Sequence, residues 1–169
     1  MDNWHDDLEH TLRSEAEESE ADAAKLAARR RQLSDVAFDA MTHGDMVAVT
    51  SADRTYVGTV QYAHGDLASL ETAGGLIDAN LAGPLHLVIR QRAHSEGLDR
   101  ATGAGSFKAR LSEYELTGEV VEVVGPPAGV FLQGRIAAVG RDHIALTSAD
   151  GESAFVPLSA IAFVVRHRG

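Results

Sequence analysis

Two pairs of arginines each follow the end of an apolar run. Arg90 and Arg92 follow LHLVI, and Arg166 and Arg168 follow AIAFVV. Residues two apart in a strand face the same way, so each pair predicts two guanidinium groups that project together. Guanidinium groups bind phosphates and carboxylates through paired hydrogen bonds, so the four arginines are candidates for contact with an anion or with a nucleic acid backbone. The alternative is that they are solubilising charges at strand ends.

The other chemistry-bearing residues do not form a recognisable reactive set. The densest cluster is His5, Asp6, Asp7, Glu9 and His10, and no H-x-x-x-H pair occurs in the chain. On a helix His5 and Glu9 would share a face while His10 would point elsewhere, so we predict no metal site and no cofactor. Spacing also assembles no nucleophile with a base and an orienting group, so we predict that the protein is not an enzyme.

Composition narrows the classes of function. The chain of 169 residues carries a net charge of −10, which argues against broad binding of nucleic acid and leaves only local basic patches. It contains no cysteine, which excludes disulfides, thiol catalysis and cysteine-ligated metal. The start MDNWHDDLEH is acidic, unlike a secretion signal, and the apolar runs are too short to span a membrane. We expect a cytoplasmic protein without membrane contact.

The amino-terminal part predicts a helix that could bind a partner. No glycine or proline occurs from residue 4 to residue 41, and a thin heptad seam begins at Ala16. The polar segment SEAEESEAD, residues 14–22, is a candidate break, and RQLSDVAFDAM predicts a second, short amphipathic helix. The seam favours a helix that lies on its own domain, or alternatively a weak homodimer. The candidate partner-binding residues are Trp4, Leu8, Leu12, Leu26 and Leu33.

The rest of the chain reads as a helix and five strands, twice. Five short runs of β-type residues lie between residues 46 and 89, and a glycine-rich segment and a short helix, SFKARLSEYEL, precede five more. Residues 58–92 align with 134–168 without a gap, which indicates an internal duplication. The aligned pairs include Gly58 with Gly134, Asp66 with Asp142, Leu87 with Phe163, Val88 with Val164, Arg90 with Arg166 and Arg92 with Arg168.

The repeated pattern resembles the Sm-like (LSm) small barrels. It combines a helix, a bent strand with G-x-[VI], the motif D-x-x-x-L and the tail VPLSAIAFVV, which is similar to the last strands of the bacterial Hfq RNA chaperone. The W-x-x-D-L-E and SF-x-AR-L segments resemble an actinobacterial family of regulators. The resemblance implies a mainly β fold with an N-terminal helix and two tandem five-stranded Sm-like or SH3-like barrels, each preceded by a short helix. At the base-contacting positions of Sm proteins only His143 is suited to recognise a base.

We therefore expect four segments: an N-terminal helical region (1–33), a first barrel (34–92), a linker (93–106) and a second barrel (107–169). The expected function is that of a non-enzymatic regulatory or adaptor protein that acts through protein–protein contacts. The alternative is a nucleic-acid-binding regulator of transcription or RNA metabolism.

Overall fold

The computed structural model describes residues 3–93, 97, 102–125 and 131–167. These residues belong to two compact units that divide between Gln32 and Leu33. The larger unit contains all ten strands, and within it we call residues 33–93 the N-half and residues 102–167 the C-half.

The first unit is a single helix. Helix α1 spans Asn3–Arg30 without interruption, and the chain leaves the helix at Arg31, whose amide donates a 3.3 Å bond to the Ala28 carbonyl. The break expected within residues 14–22 was wrong. Alanine and glutamate dominate that segment, and their high helix propensity carries the backbone through it.

One short helix precedes each set of strands, as expected. Helix α2 spans Leu33–His43 and helix α3 spans Phe107–Thr117. Ser106 caps the start of α3, since its hydroxyl accepts a 3.1 Å hydrogen bond from the Ala109 amide. A glycine with positive φ follows each helix, Gly44 at 71° and Gly118 at 63°, where a side chain would be strained.

The strands follow the predicted order closely. The N-half contains β1 (Met46–Ser51), β2 (Arg54–His64), β3 (Leu67–Thr72), β4 (Gly75–Asn80) and β5 (His86–Gln91). The C-half contains β6 (Val120–Val124), β7 (Phe131–Val139), β8 (His143–Thr147), β9 (Ser153–Pro157) and β10 (Phe163–His167), with a 3₁₀ turn at Leu158–Ala160 between the last two.

All ten strands form one open antiparallel sheet, so the fold is mainly β with an N-terminal helix. The strand order is β5-β1-β2-β3-β4-β10-β6-β7-β8-β9. The two tandem five-stranded barrels that the resemblance implies are not confirmed, because β4 of the N-half pairs with β10 of the C-half along five residues and joins the ten strands into one sheet. Strands β5 and β9 are the edges of this sheet.

The strand order repeats, which agrees with a duplicated sequence. The order β5-β1-β2-β3-β4 in the N-half matches β10-β6-β7-β8-β9 in the C-half. The pairing register slips in the second strand of each half, between Val60 and Tyr62 and between Ile136 and Ala138. These irregularities occupy the same place in the two halves and bend the strand there.

The ungapped alignment is wrong by one residue in the last strand. Val49 pairs with Leu87 in the N-half, and its counterpart Val123 pairs with Val164 in the C-half. Leu87 is therefore equivalent to Val164 and not to Phe163. A shift of one residue moves side chains to the opposite face of a strand, so the Arg90 position of the N-half corresponds to His167.

Two apolar cores lie in the larger unit, and β10 contributes to both. Phe163 and Val165 are buried in the N-half core with Val47, Leu70 and Ile77. Val164, from the opposite face of β10, is buried in the C-half core formed around α3. Strand β10 is therefore covered on both faces and paired along both edges, with β4 and with β6.

The second strand of each half passes close to its neighbour at a glycine, which predicts a stability defect. A Cβ atom at Gly134 would lie 2.3 Å from the Thr147 carbonyl oxygen, so Gly134→Ala must move the backbone. We expect the free energy of unfolding to fall by about 1–3 kcal/mol in urea titrations.

The matched control is Gly105→Ala, because a Cβ at Gly105 meets no atom within 4 Å. Its effect should stay within about 0.5 kcal/mol. Equal effects of the two substitutions would contradict the close approach.

Candidate interaction surfaces

A buried polar cluster joins the two halves of the larger unit. The Asp78 carboxylate on β4 is fully buried and accepts hydrogen bonds from the Ser69 hydroxyl and from the Tyr114 hydroxyl of α3. Arg110 Nε lies 3.7 Å from Asp78 Oδ2. Burying a carboxylate is costly unless hydrogen bonds and opposite charge compensate it, and the C-half supplies both to a residue of the N-half.

The environment keeps the Tyr114 phenol protonated. Burial, followed by the charge of Asp78 and the hydrogen bond to it, raises the pKa of Tyr114 well above its ordinary value. The hydroxyl therefore stays a donor to Asp78 across the ordinary pH range. Asn80 adds a second polar link, since its Nδ2 donates to the Ile161 carbonyl at 3.0 Å and to the Leu158 carbonyl at 3.2 Å.

A second charged contact lies on the other side of the junction. Arg54, at the start of β2, places its Nη1 3.5 Å from Glu122 Oε1, and His167 Nε2 lies 3.1 Å from Glu122 Oε2. Glu122 is buried on β6, so these contacts tie the first hairpin of the N-half to two strands of the C-half.

The candidate arginines occupy different environments. Arg90, on edge strand β5, and Arg92, just beyond it, are exposed. Arg166 is half-buried, with its Nη1 3.5 Å from Glu119 Oε2 and its guanidinium carbon 5.5 Å from the centre of the Tyr114 ring. Arg168 lies outside the described residues. The described arginines therefore do not form a duplicated site, and Arg166 contributes to packing at the junction.

His143 lies at the start of β8 and contacts its own neighbours. Its Nδ1 is 2.8 Å from Asp142 Oδ1, and its ring centre is 5.9 Å from that of Phe155 on β9. The hydrogen bond from His143 lowers the pKa of Asp142. His143 is half-buried, which leaves part of the imidazole accessible to a ligand.

The candidate partner-binding residues of the helices separate into two groups. Leu26 on α1 is 50% exposed, whereas Leu33 begins α2 and packs against the N-half core. Leu33 therefore belongs to the N-half, because α2 starts at the first residue of the larger unit. The side chains of Trp4, Leu8 and Leu12 lie outside the described residues.

The structure also reveals an apolar surface that the sequence reasoning missed. Met46, Val57 and Val88 are exposed on the outer face of β1, β2 and β5, around the buried Ala48 that pairs with both valines. We call Met46, Ala48, Val57 and Val88 the outer face of the N-half. Val165 is the C-half equivalent of Val88 and is buried at the junction. An alignment with the correct register in the last strand would therefore have indicated an apolar surface at Val88.

A pocket of about 420 Å³ opens on the C-half, between β6, β7 and β8. Its lining includes Val120, Gln133, Arg135, Thr147 and Ser148. Hydroxyl, amide and guanidinium groups together could bind a polar group of a partner. Nothing in the spacing of these residues along the chain indicated that they would meet.

A scan against protein-family models finds no family that matches the chain, and a search of the curated proteins finds none with a similar sequence. Within the described part of the chain, no group of three or more histidine, aspartate or glutamate side chains is arranged to hold a metal ion. No helix among the described residues combines the length and the apolar character needed to cross a membrane.

The buried cluster predicts that Tyr114→Phe is strongly destabilising. The substitution removes a donor from the buried Asp78 carboxylate, so we expect a loss of about 1–3 kcal/mol in urea unfolding at neutral pH. The control is Tyr62→Phe, since that hydroxyl donates at 2.8 Å to the carbonyl of Ala104 in a part-buried position. A loss at Tyr114 no larger than that at Tyr62 would contradict the assignment.

The raised pKa of Tyr114 predicts a stability that falls at alkaline pH. Folded protein holds the phenolic proton more tightly than unfolded chain, in which the pKa is near 10.0. The contribution is therefore complete below the unfolded pKa and is lost as the pH rises above it. Tyr114→Phe should show a shallower alkaline decline in unfolding free energy than wild type. The variant should keep the part of the alkaline decline that comes from Tyr56, because burial also raises the pKa of Tyr56. If the unfolding free energies of wild type and Tyr114→Phe fell equally steeply with rising pH, the contribution of the Tyr114 proton would be contradicted.

Proposed function

We propose that this protein is a non-enzymatic regulatory or adaptor protein in which α1 binds a basic surface of another protein. The observation that carries the proposal is that every α1 side chain within the described part of the chain is exposed. The sheet unit would act as the rigid scaffold that carries this helix.

The physics of isolated helices supports a partner for α1. Most of the stability of a helix in a protein comes from packing of one of its faces, because nucleation is costly and propagation gains little. Helix α1 has 28 residues, and Leu26 offers an apolar side chain to a partner. A partner that covers this helix would supply the missing packing.

The charge of α1 favours a basic partner. The helix carries eight acidic and four basic residues, and the basic ones Lys25, Arg29 and Arg30 gather near its end. Opposite charges on two surfaces speed their encounter and select the correct partner. The acidic first two thirds of α1 would therefore face a positively charged surface.

We further propose that each five-stranded half curves as an Sm-like barrel. The repeated strand order and the bend in the second strand of each half support this resemblance. At Gly58 a Cβ would lie 2.2 Å from the Glu71 carbonyl oxygen, as at Gly134 against Thr147, which fits the sharp bend of a small barrel.

Charge reversal on α1 tests the proposed function. The variant Glu17→Lys/Glu20→Lys should lose captured protein in quantitative pull-downs from the host, because it removes the attraction for a basic surface. The matched control Glu17→Asp/Glu20→Asp keeps the charge and should capture as wild type does. Both positions are exposed, so neither variant should change the unfolding curve.

The same pull-down distinguishes the alternative function. Each arm is repeated with and without nuclease treatment. Capture that nuclease abolishes would indicate a nucleic-acid-binding protein and would overturn the adaptor proposal. Equal capture by wild type and by the charge-reversed variant would overturn the role of α1.

A further inference from the structure

The walls of the C-half pocket include three residues that stand in one row across three strands. Arg135 on β7 pairs with Val120 on β6 and, on its other side, with Thr147 on β8. Directly paired residues present their side chains on the same face of a sheet, so these three side chains border one space. Its volume of about 420 Å³ lies within the range of about 300–1,000 Å³ that small-molecule sites occupy.

The polar side chains of this pocket have no partners within the described protein. No residue of the described ranges forms a hydrogen bond or an ion pair with the side chains of Gln133, Arg135 or Thr147. The Arg135 guanidinium lies beside Gly118, at which a Cβ atom would be 3.6 Å from Nη1. Three side chains that can each donate hydrogen bonds therefore meet at one concave surface.

Ser148 adds a donor that the turn after β8 holds in place. Its amide donates 2.9 Å to the Glu152 carbonyl, and its own carbonyl accepts from the Gly151 amide at 3.1 Å. Its Oγ accepts a third bond, of 3.2 Å, from the Glu152 amide. The hydroxyl hydrogen takes no part in these bonds, so it is available to a ligand in the pocket.

The pocket is positively charged although the protein is acidic. Among the described residues that line it, Arg135 alone is charged, whereas the whole chain has a net charge of −10. A carboxylate would bring one negative charge to this one positive charge, and its two oxygens match the paired N–H groups of a guanidinium. A phosphate would bring more negative charge than a single arginine neutralises.

The equivalent positions of the N-half carry the opposite charge. Thr59 pairs with Glu71, one residue after the glycine at which β2 approaches β3. The pair at the same place in the C-half is Arg135 with Thr147. The N-half therefore has a carboxylate and no cation at these two positions, which makes it unsuited to an anion.

The N-half also satisfies its hydroxyl groups internally. The Thr59 hydroxyl accepts a 3.0 Å bond from Gln61 Nε2. Thr72, the equivalent of Ser148, donates its hydroxyl to the Gly75 carbonyl at 2.8 Å. The two halves share a fold here, but only the C-half leaves its donors to a ligand.

We propose that the C-half pocket binds a small organic molecule with one carboxylate group and an apolar body. Arg135 would bind the carboxylate through two N–H groups, and the Thr147 and Ser148 hydroxyls would donate to the same oxygens. The apolar body would cover Val120, which is 49% exposed. The site lies in the C-half alone and does not depend on the proposed role of α1.

Nuclear magnetic resonance titration of the full chain tests the proposal. The probes are acetate, butyrate and hexanoate, with butyramide as an uncharged control and inorganic phosphate as a second anion, all at constant ionic strength. The backbone amide signals of residues 133–135 and 147–149 should shift to saturation, with affinity that rises from acetate to hexanoate because the longer chain covers Val120. Butyramide should bind about tenfold more weakly than butyrate, since it lacks the charge-assisted bonds. Phosphate should also bind more weakly than butyrate.

Exchange of pocket residues for their N-half equivalents tests the residue assignment. Arg135→Thr removes the cation, and Thr147→Glu places a carboxylate opposite Arg135 that would occupy the guanidinium. Each should weaken butyrate binding by about tenfold or more. The matched control Arg141→Thr removes the same charge from an exposed position before β8 and should bind butyrate as wild type does. Urea unfolding curves check that each variant is folded.

Three results would overturn the proposal. The first is the absence of saturable shifts with every carboxylate. The second is equal affinity of wild type and Arg135→Thr for butyrate, since the guanidinium would then not hold the ligand. The third is tighter binding of inorganic phosphate than of any carboxylate, which would assign the pocket to a different anion.

Discussion

Strand β10 is the element on which the larger unit depends. It pairs with β4 on one edge and with β6 on the other, and its two faces fill two different cores. Such a strand tolerates no slip in register, because a shift of one residue would place Phe163 in the C-half core and Val164 in the N-half core. The two edges and the two faces of β10 therefore all constrain its apolar sequence. By pairing with both halves, this strand joins the two repeats into one sheet.

The polar contacts at the junction add specificity to this packing. Asp78 is satisfied only when α3 lies across β4, since Tyr114 and Arg110 both belong to that helix. A displaced C-half would take the Tyr114 donor and the Arg110 charge away from a buried carboxylate and leave it the Ser69 hydroxyl, which is a costly defect in a protein interior. Apolar burial at β10 thus drives the two halves together, and the Asp78 cluster restricts them to one arrangement.

Local rules predicted much of this fold from the sequence. Period-two patterns bounded by turn residues located the strands within a few residues, and the runs RQLSDVAFDAM and SFKARLSEYEL located α2 and α3. Helix α1 was harder, because a run of charges reads as a break although its residues favour helix. Leu33 was assigned to a partner surface because its seam continued across a boundary that only the fold defines.

The register of the last repeat could not be read from similarity alone. Three apolar residues of similar character follow one another in FVVRH, so an alignment shifted by one residue scores almost as well. The same shift moves every side chain to the opposite face of the strand. That error suggested a duplicated pair of arginines and hid the outer face of the N-half. Contacts such as Asp78 with Tyr114 join residues 36 positions apart, and no local pattern carries that information.

The N-half core has a consequence for how the chain folds during synthesis. Phe163 and Val165, which help to fill that core, are translated about 70 residues after Ile89, the last N-half residue packed against it. A ribosome releases the N-half strands well before these side chains exist, so the first repeat emerges with its apolar interior open at the β4 edge. Completion must wait for a long-range pairing, which is slow because its loop must close first. During synthesis of the C-half, the nascent chain therefore exposes the unpaired edge of β4, which can pair with strands of other molecules.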